Sequence, residues 1–434
     1  MGKKIIGMSL CLLLMTTVVF PVVGTVPSDL PPPGSTSMIL EETLWRRSSI
    51  RNFTSDPVSI EALSSILWAA YGVRGDGSRT VASVDGVYAV RIYVLLEDAV
   101  YYYEPVNHSL VFYKRGDYRS VSPYPSPVVL GLAWNDSVNP DGDVSMLEVG
   151  AVGQNLQLMV NTLDLGCVTC GDFPPYQTLA RIGLPEHETG RIVIPVGHPL
   201  YPYDFRYFPF WVSLLPKIQR SSMSLSDALK TRNETDAFAG ELPRAMEIQM
   251  LWSSYGYSYF VDKSDFSFVY HISRHRTVPS AHKYYPLQVY GVTAGGVYEY
   301  IPNIYDVIKL IFFLPEFPFP VVTYTKKISD ADMRGTIAGA TSNPSCAQAP
   351  FLLVLVLDVN KTRPAGNTDF SDPMYRWLWY YEVGAAAQNV QLEAAAWDLT
   401  VNRYVPVDSE VIRSALGLTG DFVPCLVVSI GMQI

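Results

Sequence analysis

The sequence predicts an α+β chain made of two tandem copies of one module, each with its own sheet. Three observations carry this reading. Leu67-Trp68-Ala69-Ala70-Tyr71-Gly72 returns as Leu251-Trp252-Ser253-Ser254-Tyr255-Gly256, Arg79-Thr80-Val81-Ala82-Ser83 returns as Arg276-Thr277-Val278-Pro279-Ser280, and Glu148-Val149-Gly150-Ala151-Val152-Gly153-Gln154-Asn155 returns as Glu382-Val383-Gly384-Ala385-Ala386-Ala387-Gln388-Asn389. Between these blocks lie short β-rich runs kept apart from the helical stretches, the pattern of an α+β module. The spacing between paired blocks widens along the chain, so the second copy has longer loops on a shared core.

Each element follows in chain order. Lys3 and Lys4 precede an apolar run from Ile5 to Val23, so residues 1–24 read as an export signal or an N-terminal membrane anchor, with cleavage open. The Pro-rich residues 25–37 are a linker, 38–215 the first module and 216–434 the second. In the first module the helix ending at Gly72 is followed by strands from Tyr88 to Leu96 and Val100 to Tyr103, joined as a hairpin. A strand from Pro127 to Trp134, a long helix starting near Glu148 and a last strand from Arg191 to Val196 complete it. The second module repeats the plan with strands from Leu287 to Val292, Val297 to Tyr300 and Phe351 to Val359. Its long helix starts near Glu382, and its last strand runs from Cys425 to Ile430.

Composition narrows the partners. A net charge of −9 with 48% hydrophobic and 12% aromatic residues describes a folded chain that does not bind a nucleic-acid backbone. Sequons at Asn52, Asn107, Asn135, Asn233 and Asn360 fit an exported protein, extracellular or anchored facing outward, with chance occurrence as the alternative. Cys167, Cys170, Cys346 and Cys425 are too sparse for a disulfide framework. Cys167-Val168-Thr169-Cys170 has the spacing of a redox pair or zinc knuckle, but in an extended segment residues three apart face opposite ways. No second Cys/His pair completes a zinc site, so no metal is expected.

The stretch with most chemistry is Trp45-Arg46-Arg47-Ser48-Ser49-Ile50-Arg51-Asn52-Phe53, with three arginines and a serine hydroxyl just ahead of a helix. Guanidinium forks match phosphate oxygens bidentately, which suits an anion socket; the plainer alternative is a solvated helix end. The run, the Pro-led turn and the helix from Ile60 to Gly72 resemble the opening of the nitroreductase family of flavoenzymes, and most nearly its SagB-type dehydrogenase branch. The resemblance implies FMN as cofactor, with Arg46, Arg47, Ser48 and Arg51 at its phosphate. Arg51 falls three residues after Ser48, where the family more often has two.

The family's members are intertwined dimers with the flavin at the interface. The resemblance therefore implies a nitroreductase-like fold in which this chain, as a monomer, forms an intramolecular pseudo-dimer. The first copy would supply the arginine run and the second the Pro279-Ser280-Ala281 turn of a single composite site. The reciprocal site reads as lapsed: Lys230-Thr231-Arg232-Asn233-Glu234-Thr235-Asp236-Ala237-Phe238 puts Asp236 opposite Arg51, and Ala82 replaces Pro279. A carboxylate there opposes a phosphate dianion. Gly171 and Asp172 stand where the family brings a glycine backbone to the flavin, against Val405-Pro406-Val407-Asp408 in the second copy. Arg206 is a late basic candidate for the phosphate, with packing on aromatic faces as its alternative.

With FMN the chemistry is hydride transfer by the cofactor, so no catalytic residue is named. Nitroaromatics, quinones and peptide azolines all remain open as substrates. The alternative is a flavin-free binding or structural protein on the same scaffold. Of the two apolar insertions, Tyr201 to Pro216 and Val307 to Pro320, the second is too short and Pro-broken to span a membrane, and it fits extra core, a lid over the flavin or a membrane-surface contact.

Overall fold

The computed structural model describes residues 28–83, 86–172, 177–201, 214–258, 261–262, 271–272, 275–304, 321–362 and 370–434. The leader, the start of the linker, Arg206 and most of both apolar insertions lie outside the described residues. Among the described residues no helix is long and apolar enough to cross a membrane.

The first module opens with helices α1 (Leu40–Arg46) and α2 (Ile60–Tyr71). The Ser59 hydroxyl accepts the Ala62 N–H at 3.1 Å and caps α2, whose residues from Leu63 onward are all buried. Seven strands follow: β1 (Val90–Leu95), β2 (Ala99–Glu104), β3 (Ser109–Arg115), β4 (Val128–Asn135), β5 (Gly166–Cys167), β6 (Cys170–Gly171) and β7 (Glu188–Gly197). They form one sheet in the order β3-β2-β1-β4-β7-β5, with β6 also on β7. Helix α3 (Gly142–Thr162) packs on it. It begins earlier than the repeated block because the Asp141 carboxylate accepts the N–H groups of Asp143 and Val144.

The second module repeats this plan. Helices α4 (Leu225–Thr231) and α5 (Arg244–Tyr255) lead into β8 (Phe238–Ala239, between them), β9 (Leu287–Thr293), β10 (Gly296–Ile301), β11 (Tyr324–Ser329), β12 (Phe351–Asp358), β13 (Thr400–Tyr404) and β14 (Phe422–Gln433). The sheet order, β11-β10-β9-β12-β14-β13 with β8 on β14, matches that of the first module. Helix α6 (Arg334–Gly339) and helix α8 (Ser409–Leu416) flank the sheet, and the long helix α7 (Pro373–Ala396) corresponds to α3. The edge strands β3 and β11 were not anticipated. They carry Lys114 and Arg115, or Lys326 and Lys327, in mostly half-buried to exposed positions, so they lack the apolar run of a central strand.

The modules meet where α3 crosses α7. Gly150 and Gly384, equivalent in the repeat, sit at that crossing. A Cβ on Gly150 would stand 2.1 Å from the Tyr381 carbonyl oxygen, and one on Gly384 would stand 2.0 Å from that of Leu147. Only glycine admits backbones this close. Beside the crossing, Asp143 accepts the Arg376 Nε–H and the Trp377 indole N–H, both at 2.9 Å, and the Arg191 guanidinium lies 4.1 Å from the Trp377 ring centroid.

Candidate functional site

The arginine run leaves α1 at Arg47, whose backbone turns extended (φ −53°, ψ 121°), and then follows β5, with the Ile50 N–H bonded to the Cys167 carbonyl at 2.8 Å. Arg46 pairs with Glu42 one helical turn earlier at 2.5 Å. Arg47 is 2% exposed and reaches into the other module, where its Nε donates to the Arg276 carbonyl at 3.0 Å. Its Nη1 donates to Gln157 Oε1 at 3.4 Å, and Ser48 beside it is buried.

The second module makes the same reach. Arg232, equally buried and equally extended at the end of its helix, donates through Nε to the Thr80 carbonyl at 3.1 Å and through Nη2 to that of Val81 at 2.8 Å. The repeated Gln-Asn pairs complete the arrangement. Gln154 Nε2 donates to the Thr277 carbonyl at 2.9 Å, and Gln388 Nε2 to that of Thr80 at 3.4 Å. Each Arg-Thr-Val turn is thus held by an arginine and a glutamine of the opposite module. Phe53 pairs with Pro199 and Phe238 with Gln433, each at the end of its own module's last strand, so Arg51 and Asp236 are structural equivalents.

Next to the first clasp a cavity of about 820 Å3 opens between the modules. Arg51, Tyr124, Val168, Thr169, Cys170, Gly171, Asp172 and Arg181 of the first module line it, together with Ala281, His282, Asp372, Tyr375 and Leu378 of the second. Of the residues expected at the flavin, Arg51, Gly171, Asp172 and Ala281 reach this lining. Arg47 lies one layer behind, through Gln157, whose Nε2 donates to Thr169 Oγ1 at 2.5 Å. The Ser280 hydroxyl is engaged by the Tyr285 N–H at 2.9 Å. Asp172 is 2% exposed; its carboxylate accepts the N–H groups of Thr178 and Leu179 and so fixes the turn carrying Arg181. Burial raises its pKa.

Arg181, Tyr124, Asp372 and Tyr375 were not anticipated, because they come from loops and a helix end without a repeated motif. The mouth of the cavity is bordered by an unusual turn. His282, Lys283 and Tyr285 have φ of 53°, 60° and 50°, in the left-handed region that costs non-glycine residues energy. It is held by Tyr284 stacked on Trp379 and by the Arg276 guanidinium 4.6 Å from the Tyr285 ring centroid. Cys167 and Cys170 are free thiols on separate short strands, and burial raises each pKa to about 12. Among the described residues no group of His, Cys, Asp or Glu could hold a metal ion.

The equivalent place in the other half is smaller and built differently. A cavity of about 440 Å3 is lined by Ala82 and Ser83 of the first module and by Glu234, Asp236, Asn402, Arg403 and Tyr404 of the second. Asp236 accepts from Asn402 Nδ2 at 2.6 Å, Asn343 Nδ2 at 3.0 Å and the Tyr404 hydroxyl at 2.6 Å. Glu234 accepts from Arg232 Nη1 at 2.6 Å and Gln391 Nε2 at 2.7 Å. In the first module the strand here is broken into β5 and β6 at Val168-Thr169, whereas β13 runs unbroken and brings its side chains into the space.

Residues 44–198 match the model of the nitroreductase family. A nitroreductase candidate of Methanocaldococcus jannaschii is 34% identical over 183 residues, 37% of this chain and 91% of that protein. The crystal structure of a nitroreductase candidate from Anabaena variabilis aligns over 94% of both chains with a TM-score of 0.62 at 15% identity, a likeness of fold. That of a candidate from Desulfovibrio desulfuricans, solved in complex with FMN, is 20% identical over 37% of this chain and 87% of that one, with a TM-score of 0.29. With the α+β architecture, the opening at Arg46 to Phe53 and a relative matched over nearly its whole length, the chain belongs to the nitroreductase family.

Proposed function

We propose that this protein is an FMN-dependent oxidoreductase of the SagB-type dehydrogenase branch, with one flavin site in the larger cavity between its two modules. The observation that supports this most is the asymmetry of the two halves. Both cavities fall within the roughly 300–1,000 Å3 usual for cofactor and ligand sites, so their linings rather than their volumes distinguish them. The larger combines apolar walls at Val168, Val193 and Leu378, the bare backbone at Gly171, and the guanidinium groups of Arg51 and Arg181 for an anion. These residues fit a flavin mononucleotide. In the smaller cavity the position equivalent to Arg51 carries the Asp236 carboxylate, already bonded by three donors.

The chemistry that FMN supplies when bound is hydride transfer, to or from a small molecule or a peptide. The chain's own contribution is positioning. Arg51 and Arg181 would offer charge to the phosphate, and Arg47 would hold the Arg276-to-Ala281 turn against the cavity through the Arg276 carbonyl. Packing of Tyr375 and Leu378 from α7 against the first module would limit water. A second reading, a flavin-free scaffold, is favoured by the engagement of Arg46 with Glu42 and of Arg47 with Arg276.

Purified protein, reconstituted with excess FMN, separates the two. One FMN per chain, lost in Arg51→Ala, supports the composite site. No bound flavin refutes it, and two per chain would show that the smaller cavity is also competent. Export is proposed from the Lys3-Lys4 and apolar pattern alone; the N-terminal sequence of the mature protein from its native source tests it.

A further inference from the structure

The smaller cavity is rebuilt around different charges instead of merely losing an arginine. Asp164 and Asp398, both with φ of 54°, mark equivalent places after α3 and α7. From there the strands keep step: Cys167 and Cys170 pair with Val196 and Val193, as Val401 and Tyr404 pair with Ile430 and Val427. Arg403 therefore stands at the position of Thr169, just as Asp236 stands at that of Arg51. All four side chains line their cavities. Where the larger cavity has a threonine the smaller has gained a cation, and where the larger has an arginine the smaller has a carboxylate.

The gained arginine is not consumed by the fold. Its Nη2 is buried without a hydrogen-bond partner among the described residues. Arg232, by contrast, is taken up by the Thr80 and Val81 carbonyls and by Glu234. A buried guanidinium nitrogen without an acceptor is costly, and the acceptor that its planar fork matches best is a carboxylate. Glu234 faces the same space and is also half used: Oε1 accepts from Arg232 and Gln391, which leaves Oε2 for a further donor. Burial would raise the Glu234 pKa, but the charges of Arg403 and Arg232 outweigh burial and hold it below its ordinary value, so it is ionised at neutral pH.

These charges select the occupant. A simple anion would meet Glu234 and Asp236, and a simple amine would meet Arg403; a molecule that carries both charges a few atoms apart satisfies each wall. We propose that the smaller cavity binds a free α-amino acid, whose carboxylate pairs with Arg403 and whose ammonium group donates to Glu234 Oε2. Ala82 and Ser83 come to this cavity from the first module, so the occupant bridges the modules beside the second clasp, which Glu234 joins through Arg232. The site is independent of what fills the larger cavity.

Isothermal titration calorimetry of the full chain, with and without saturating FMN, tests this with the common amino acids one at a time. At least one should bind under both conditions. Its N-acetyl derivative, which lacks the positive charge, and its α-amide, which lacks the negative one, should each bind about tenfold or more weaker. Arg403→Gln and Glu234→Gln should weaken the parent amino acid by a similar factor. Binding by none of the amino acids overturns the proposal, and so does equal binding of the two derivatives, which are read on the wild type and need no variant to fold. Binding that FMN abolishes, or that a folded Arg403→Gln protein retains in full, overturns it as well.

Discussion

Replacing Gly384 by alanine tests whether the two modules are one packed body at the α3–α7 crossing. The added Cβ would lie 2.0 Å from the Leu147 carbonyl oxygen and 2.7 Å from its carbon. A carbon–oxygen contact of this kind normally needs about 3.3 Å or more, so the shortfall exceeds about 1 Å. The atoms met are helix backbone and cannot rotate aside, so the helices must part. Overpacking of a closed interior costs about 1–3 kcal/mol, and here the upper part of that range applies. Alanine's better helix propensity returns about 1 kcal/mol, leaving a net loss of about 2 kcal/mol. Gly339→Ala, at the end of α6 where an added Cβ meets nothing within 4 Å, supplies the contrast and should be neutral or slightly stabilising. Urea unfolding at fixed pH reads both. Since the larger cavity takes walls from both modules, Gly384→Ala should also lower flavin occupancy. A Gly384→Ala protein within about 0.5 kcal/mol of wild type, and binding flavin equally, would refute the close crossing and the composite cavity that depends on it.

The paired clasps make a second prediction. Arg47→Ala and Arg232→Ala each remove a buried charge bonded to carbonyls of the opposite module and should destabilise by similar amounts, about 2–4 kcal/mol, in chemical denaturation. If Arg47 served only a phosphate, Arg232→Ala alone would show the loss without flavin. A third concerns Glu382, which accepts the Tyr255 hydroxyl and whose pKa is pushed up to about 7, chiefly by burial. The folded chain keeps this proton after the unfolded chain has lost it, so stability falls as pH rises from about 4.5 to about 7, by about 3 kcal/mol. Glu382→Gln should flatten that portion of the profile; an unchanged profile between those pH values would show that the side chain is ionised throughout.

Much of this protein was legible before folding. The three repeated blocks fixed the two modules because residues that cap, cross or bond at equivalent positions had to be kept twice. Gly150 and Gly384 mark the helix crossing, Gln154 and Gln388 the reciprocal amide bonds, and Thr80 and Thr277 the carbonyls they seek. Central strands were readable from continuous apolar runs, and the arginine run with its Pro-led helix pointed to the family. What tertiary structure alone decided was how the arginines divide. Arg47 and Arg232 look alike in sequence to any ligand-binding arginine, yet both end α-helices that dock against the other module, where buried carbonyls need donors more than solvent does. Arg51 reaches the cavity because the strand beside it breaks at Val168-Thr169, and Asp236 does not leave the same space open because β13 continues. Arg181, Tyr124 and Tyr375 join them from loops and a helix end that have no local pattern. Repetition and apolar periodicity are properties of the chain; which polar groups are forced together without water is a property of the packed fold, because only packing removes the solvent that would otherwise satisfy each of them separately.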